Sequence, residues 1–120
     1  MRNAISKQIA TALALTTDYQ TVAYPSDLGA VIGKGGQVVL TFKRTGGTSI
    51  TFSVEEYFDA QTGWVPMSQN SAGTLSLLER TSTMATFSWA FTTLAEQVRV
   101  KIKGAGGETA DVLLTVGEVI

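Results

Sequence analysis

The strongest constraint on the fold of this chain is an alternation of apolar and polar residues with a period of two. In the clearest example, Val38, Leu40 and Phe42 lie on one side of an extended segment. Later segments repeat the pattern, with the apolar members Ile50, Phe52, Val54, Phe87, Trp89, Phe91, Val98, Val100, Ile102, Val112, Leu114 and Val116. One apolar and one polar side is typical of antiparallel strands that are buried on a single face. The sequence therefore predicts half-buried antiparallel strands.

Short glycine-rich or polar segments separate these strands. Residues 33–36 precede the first strong strand, and residues 45–48 form a hairpin-like turn to the next. Residues 59–63 form another turn, and residues 104–107 separate the last two strands. Turn-bounded short strands at this spacing are typical of a β-sandwich or a barrel.

Weaker strand signals complete the prediction. They lie at 11–15, at 19–24, at 64–70 and around Leu75, and Pro66 suits an edge strand. We expect an all-β, antiparallel β-sandwich of jelly-roll or Ig-like type with roughly eight short strands. Residues 1–10 are predicted to be an N-terminal arm ordered by a partner or by packing, and residues 11–120 a single sandwich domain.

Composition narrows the possible functions. The chain has 120 residues, 9 Lys and Arg against 10 Asp and Glu, a net charge of −1, and neither Cys nor His. These counts exclude disulfide scaffolds, thiolate or imidazole metal sites, and Cys-His or Ser-His-Asp catalysis. We expect no enzyme activity, catalytic residue, cofactor or metal. The slight excess of acidic residues argues against binding to the negatively charged backbone of a nucleic acid. No apolar run approaches the ~20 residues of a membrane-spanning helix.

One cluster of acidic residues could in principle carry chemistry. Glu55, Glu56 and Asp59 could form an acid–base pair or supply oxygen ligands to Ca²⁺. Consecutive residues of a strand point to opposite faces, so Glu55 and Glu56 are not expected to converge. The preferred interpretation is solvated charge at the end of a strand.

Two other features are candidates for binding. Arg99, Lys101 and Lys103 share one face of a strand, where they could meet an acidic protein surface or a phosphate backbone. The preferred interpretation is charge on a solvent-facing strand surface, or alternatively charge that protects a sheet edge from pairing. Trp64 follows a turn and could stack on a sugar ring. A role of Trp64 in the core or in an interface is the favoured alternative.

Residues 31–36, Val-Ile-Gly-Lys-Gly-Gly, resemble the glycine loop of KH domains, which bind single-stranded RNA. The resemblance extends to residues 25–29 and 98–104. A helix follows this loop in KH domains, whereas residues 37–44 are β-branched and alternate strictly. A glycine turn before a strand is therefore preferred, and a KH-like RNA-binding module is the third functional alternative.

The order of features along residues 36–118 resembles small β-sandwich virion proteins of tailed bacteriophages. The resemblance lies in the sequence Phe-Ser-Val-Glu at 52–55, Asp-Ala-Gln-Thr-Gly-Trp at 59–64 and Val-Arg-Val-Lys at 98–101, followed by a glycine turn and a closing strand at 104–116. It implies a capsid decoration (cement) protein or a neck component. No functional residues carry over, because the motifs encode strands and turns.

This resemblance implies a structural protein that oligomerises as a trimer or dimer and stabilises the capsid lattice. Its partners would be the major capsid protein or other virion proteins, and its location the capsid surface after synthesis in the host cytoplasm. Strand parity predicts that Val39, Leu78 and Leu113 point outward, and we include them with the basic stripe as candidate interface residues. The alternative is a glycan-binding, tail or neck component of the virion.

Overall fold

The computed structural model describes residues 2–22, 37–95 and 97–119, and these form strands and connections with no helix. The strands are β1 (Arg2–Ala14), β2 (Gln20–Val22), β3 (Gln37–Thr45), β4 (Ile50–Tyr57), β5 (Trp64–Pro66), β6 (Ser68–Ser71), β7 (Thr74–Leu77), β8 (Arg80–Ser82), β9 (Thr86–Thr92), β10 (Gln97–Gly104) and β11 (Thr109–Val119). The prediction of an all-β, antiparallel β-sandwich is confirmed.

Two sheets form the sandwich. Sheet A has the strand order β1-β11-β3-β9, and sheet B has the order β2-β10-β4-β5, with β8 also pairing with β4. All of these pairs are antiparallel. The chain alternates between the two sheets at each step from β1 to β4, and again at each step from β9 to β11. This connectivity is that of a jelly roll rather than of an Ig domain. The β6–β7 hairpin and β8 are inserted between β5 and β9.

The alternating apolar residues fill the space between the sheets. Leu40 and Phe42 of β3 have no exposed surface, and Phe52 of β4 is 3% exposed. The Phe42 ring stacks on Phe52 at 4.7 Å and on Phe87 at 4.9 Å between centroids. Burial of a side chain of this size contributes about 1.5–3 kcal/mol. Phe87 and Trp89 on β9, at the border of sheet A, are only partly buried against this core.

A buried carboxylate holds two turns together at one end of the sandwich. Glu108 lies between β10 and β11 and is 1% exposed. Its carboxylate accepts the backbone N–H groups of Thr48 at 2.9 Å, Ser49 at 3.4 Å and Gly106 at 2.7 Å. These donors favour the charged form and lower the pKa of Glu108 to about 2. The β3–β4 turn is thereby tied to the β10–β11 turn.

Glycine is required beside this carboxylate. Gly47 has a φ of +61°, in the left-handed region that L side chains rarely adopt. A Cβ built on Gly47 would also overlap the side chain of Glu108, and the same is true of Gly104. The turn therefore needs glycine at position 47 for both its backbone angle and its space.

The N-terminal segment is part of sheet A. Residues 2–14 form β1, which pairs with β11 from Arg2 opposite Val119 to Ala14 opposite Thr109. The register shifts twice, between Gln8 and Ala10 and between Ala10 and Leu13. Most of the predicted arm thus lies within a strand that the chain itself orders. The strand signals at 11–15 and 19–24 correspond to the end of β1 and to β2, while residues 23–36 lie outside the described residues.

Candidate functional site

The acidic residues do not converge. Glu55 accepts a hydrogen bond from Arg99 on one face of β4, while Glu56 accepts one from the hydroxyl of Thr93 on the other side. Asp59 caps its own turn through the Thr62 N–H at 2.7 Å, and this donor lowers the pKa of Asp59. Among residues 2–22, 37–95 and 97–119, no group of acidic side chains could hold a metal ion. The predicted divergence of Glu55 and Glu56 is confirmed.

The surface of sheet A that faces away from the core carries few charges, and we call it the sheet A outer face. Val39 and Leu113 lie on it, half-buried among neighbours such as Thr41 and Thr115. Its members on β3, β9 and β11 are Gln37, Val39, Thr41, Lys43, Thr86, Ser88, Ala90, Thr92, Thr109, Asp111, Leu113 and Thr115. Lys43 and Asp111 pair directly across the strands, which leaves the rest of these positions uncharged.

The predicted outward position of Leu78 is wrong. Leu78 follows the end of β7 and is 8% exposed. Its N–H donates to the carbonyl of Met67 at 2.9 Å. Strand parity does not apply to this residue because it lies in the connection between β7 and β8. The interface roles of Val39 and Leu113 stay a prediction.

The basic stripe lies on the outer face of sheet B, as its spacing predicts, and two of its members contact other parts of the chain. Arg99 Nε donates to Glu55 Oε1 at 2.6 Å, and its guanidinium lies 4.2 Å from the centre of the Trp64 ring. Trp64 packs on Tyr57 at 5.4 Å between ring centroids. Trp64 is therefore half-buried, with the guanidinium of Arg99 over its ring. The alternative that the stripe protects a sheet edge is wrong, because β10 lies between β2 and β4.

Lys103 and Tyr19 extend this arrangement. The Lys103 ammonium lies 4.6 Å from the centre of the Tyr19 ring and 4.0 Å from a carboxylate oxygen of Glu79. The Tyr19 hydroxyl donates to the same carboxylate. Burial of the ring, together with this negatively charged acceptor, raises the pKa of Tyr19. The contacts attach the segment between β7 and β8 to sheet B.

A cavity of about 240 Å³ lies over the same face, lined by Tyr19, Ser53, Glu55, Pro66, Leu77 and Lys101. Ser53 is 3% exposed, and its Oγ has no hydrogen-bond partner within the described residues. Lys101 lies directly across from Ser53 in the sheet. The cavity thus combines an aromatic ring, a hydroxyl, a carboxylate and an ammonium group. Sequence reasoning missed it because Tyr19 and Leu77 reach the sheet only through long-range packing.

The KH-like segment at 31–36 lies outside the described residues. The segment after it forms β3, whereas the KH loop requires a helix at this point. A separate finding concerns membranes: the described residues contain no helix long and apolar enough to cross one.

Comparison with known proteins supports the fold. No family model matches the chain, and no curated protein matches its sequence. Among solved structures, the SPBc2 prophage-derived protein YomS aligns with a TM-score of 0.57 and 15% identity over 98% of this chain and 96% of that one. A protein of the disulfide-linked pili of Bacillus endospore appendages aligns with a TM-score of 0.51 and 14% identity over 100% and 88%. At these identities the likeness concerns the fold.

Proposed function

We propose that this chain is a structural protein of a phage virion, and specifically a capsid decoration protein that binds the assembled lattice. The observation that carries the proposal is the sheet A outer face, a four-stranded surface on which Val39 and Leu113 lie among small hydroxyl-bearing residues. An extended surface with few charges suits contact with another protein, because little charge has to be desolvated on binding.

Two further observations support the proposal. The jelly-roll fold is shared along nearly the whole chain with a protein derived from a prophage. Charged residues make up only 16% of the sequence, against about 25% in typical domains. A protein that binds the assembled capsid, but not its free subunits, stabilises the assembly by linkage, by about 2.7 kcal/mol at a hundred times its Kd.

Co-sedimentation with purified capsids tests this proposal. The wild-type chain should pellet with capsids and raise their temperature of thermal disruption. Val39→Lys and Leu113→Lys should each lower the bound fraction at least tenfold, since each places a lysine on the proposed contact surface. Gln61→Lys, in the exposed turn after β4, is the matched control and should bind as the wild type does. A wild-type chain that never pellets with capsids would refute the proposal.

The cavity over sheet B favours glycan binding as a second candidate function, in a tail or neck component of the virion. Its hydroxyl, carboxylate and ammonium groups could each exchange a hydrogen bond with sugar hydroxyls, and Tyr19 offers an aromatic wall. A glycan array checks this alternative, with Lys101→Met as the variant that should lose binding. An array without hits would count against it.

A further inference from the structure

The strand β9 forms an unusual edge of sheet A. Within the described residues it pairs with β3 alone, so its other side presents a row of backbone N–H and C=O groups. Its seven residues, 86–92, include no charge, proline or glycine, and its pairing with β3 shows no register shift. A regular, uncharged segment of this composition readily pairs with another strand.

The other edges of the two sheets carry features that discourage such pairing. β1 has two register shifts, and Lys7 lies opposite the core residue Leu114, on the inner side of the sheet. The edge strands β2, β5 and β8 have three residues each, and β5 includes Pro66. Inward charges, irregular pairing, short length and proline are the usual protections of a sheet edge. Among the described strands, β9 is the long edge without them.

The side chains of β9 also leave apolar surface incompletely covered. Phe87 and Trp89 point toward the core but remain only partly buried. Exposed apolar residues flank the strand, with Met84 before it at 62% exposure and Leu94 after it at 80%. The edge therefore combines available backbone groups with apolar side chains at its centre and at both ends.

We infer that β9 pairs in antiparallel fashion with β9 of a second copy of this chain, across a two-fold axis beside Trp89. This inference deepens the proposed function, because it names the contact through which the protein would associate with itself. A second copy fits because the strand is self-complementary in this register. Phe87 would face Phe91 of the second copy, Trp89 would face its own counterpart, and Met84 would come opposite Leu94.

The energetics of this pairing favour a two-fold contact. Aromatic pairs directly across antiparallel strands are stabilising, and no like charges meet because β9 has none. The contact is isologous, so it joins two four-stranded sheets into one and closes the assembly at two copies. A contact through one strand edge buries less surface than a standard protein–protein interface. The dimer should therefore be weak, with a Kd in the micromolar to millimolar range.

Paired charge variants test both the edge and its register. Ser88 and Ala90 are exposed on the outer side of β9, and in this register each lies opposite the other in the second copy. Ser88→Lys with Ala90→Lys places like charges across both symmetry-related contacts and should weaken dimerisation about tenfold. Ser88→Lys with Ala90→Glu places opposite charges there and should dimerise at least as well as the wild type. Gln61→Lys, in the exposed turn after β4, is the control and should leave dimerisation unchanged.

Sedimentation equilibrium gives the masses, and the wild type should move from 12.7 kDa toward twice that value as concentration rises. In a Trp64→Phe background, the emission of Trp89 should shift to shorter wavelength over the same range, because pairing buries its ring. A wild type that stays monomeric throughout would overturn the inference. So would a dimer that the two charge variants affect equally, or a mass increase seen only with a different virion protein. Capsid co-sedimentation is scored separately, so a failure of the edge contact is distinct from a failure of the proposed function.

Discussion

Replacing Gly47 by alanine should disturb the chain in two ways that can be measured apart. The first is backbone strain, because a φ of +61° costs an L residue about 1–2 kcal/mol. The second is overlap of the new methyl group with the side chain of Glu108, and overpacking of this kind costs about 1–3 kcal/mol. Together, the two effects should lower the free energy of unfolding by about 2–5 kcal/mol.

Gly73→Ala separates these effects. Gly73 lies in the turn between β6 and β7 with a φ of +83°, and a Cβ built there meets no atom within 4 Å. Only the strain of about 1–2 kcal/mol should remain in this variant. For a chain of this size about 1 kcal/mol corresponds to about 4 °C in Tm, so thermal unfolding should show a loss of about 4–8 °C for Gly73→Ala and about 8–20 °C for Gly47→Ala.

A double-mutant cycle assigns the difference to the carboxylate. In a Glu108→Ala background the methyl group at position 47 has room, so Gly47→Ala should cost no more than Gly73→Ala does in the wild type. The coupling between positions 47 and 108 should then be about 1–3 kcal/mol. Equal losses for the two glycine variants in the wild type, or no coupling in the cycle, would refute the steric reasoning.

Three other predictions concern pH, the core and the sheet B surface. The pKa of Glu108 is lowered from 4.5 to about 2, so the stability that its ionised form contributes is complete above pH 4.5 and is lost as the pH falls toward 2. Urea midpoints of the wild type and Glu108→Gln should therefore converge over that pH range, and parallel curves would contradict this. Phe42→Ala should lower the free energy of unfolding by about 3–5 kcal/mol, because its ring is fully buried between Phe52 and Phe87; a loss below about 1 kcal/mol in urea titrations would contradict the packing. A cycle of Arg99→Ala and Glu55→Ala should give a coupling of about 0.5–1 kcal/mol that shrinks in high salt, and no coupling at low salt would argue against the ion pair.

Periodicity predicted most of the core, and its failures have physical reasons. Val38, Leu40 and Phe42 are buried as the alternation requires, since parity decides which face of a strand meets the opposite sheet. The alternation breaks down between residues 8 and 13, where two register shifts interrupt β1 and Ala12 has a positive φ. The position of Leu78 could not be predicted from parity because no strand contains it.

The candidate surfaces were only partly predictable. Spacing alone places Arg99, Lys101 and Lys103 on one face of β10, and the register confirms that they share it. Their surroundings come from segments far away in sequence, such as Glu79 and Tyr19, and no local pattern indicates those contacts. The position of β9 at the edge of sheet A could not be predicted either, because the sequence of a strand does not show whether it pairs with one neighbouring strand or with two.

The strand order of sheet A also bears on when the chain can fold during its synthesis. β11 lies between β1 and β3, so β1 pairs with a strand that the ribosome makes much later. Until residues 109–119 have left the ribosome, neither β1 nor that side of β3 has its partner in this sheet. Such non-local pairing is slow, because a long loop must be closed before any contact stabilises it. Folding of this jelly roll therefore waits until β11 has been made, and the nascent chain exposes apolar strands that chaperones can bind in the meantime.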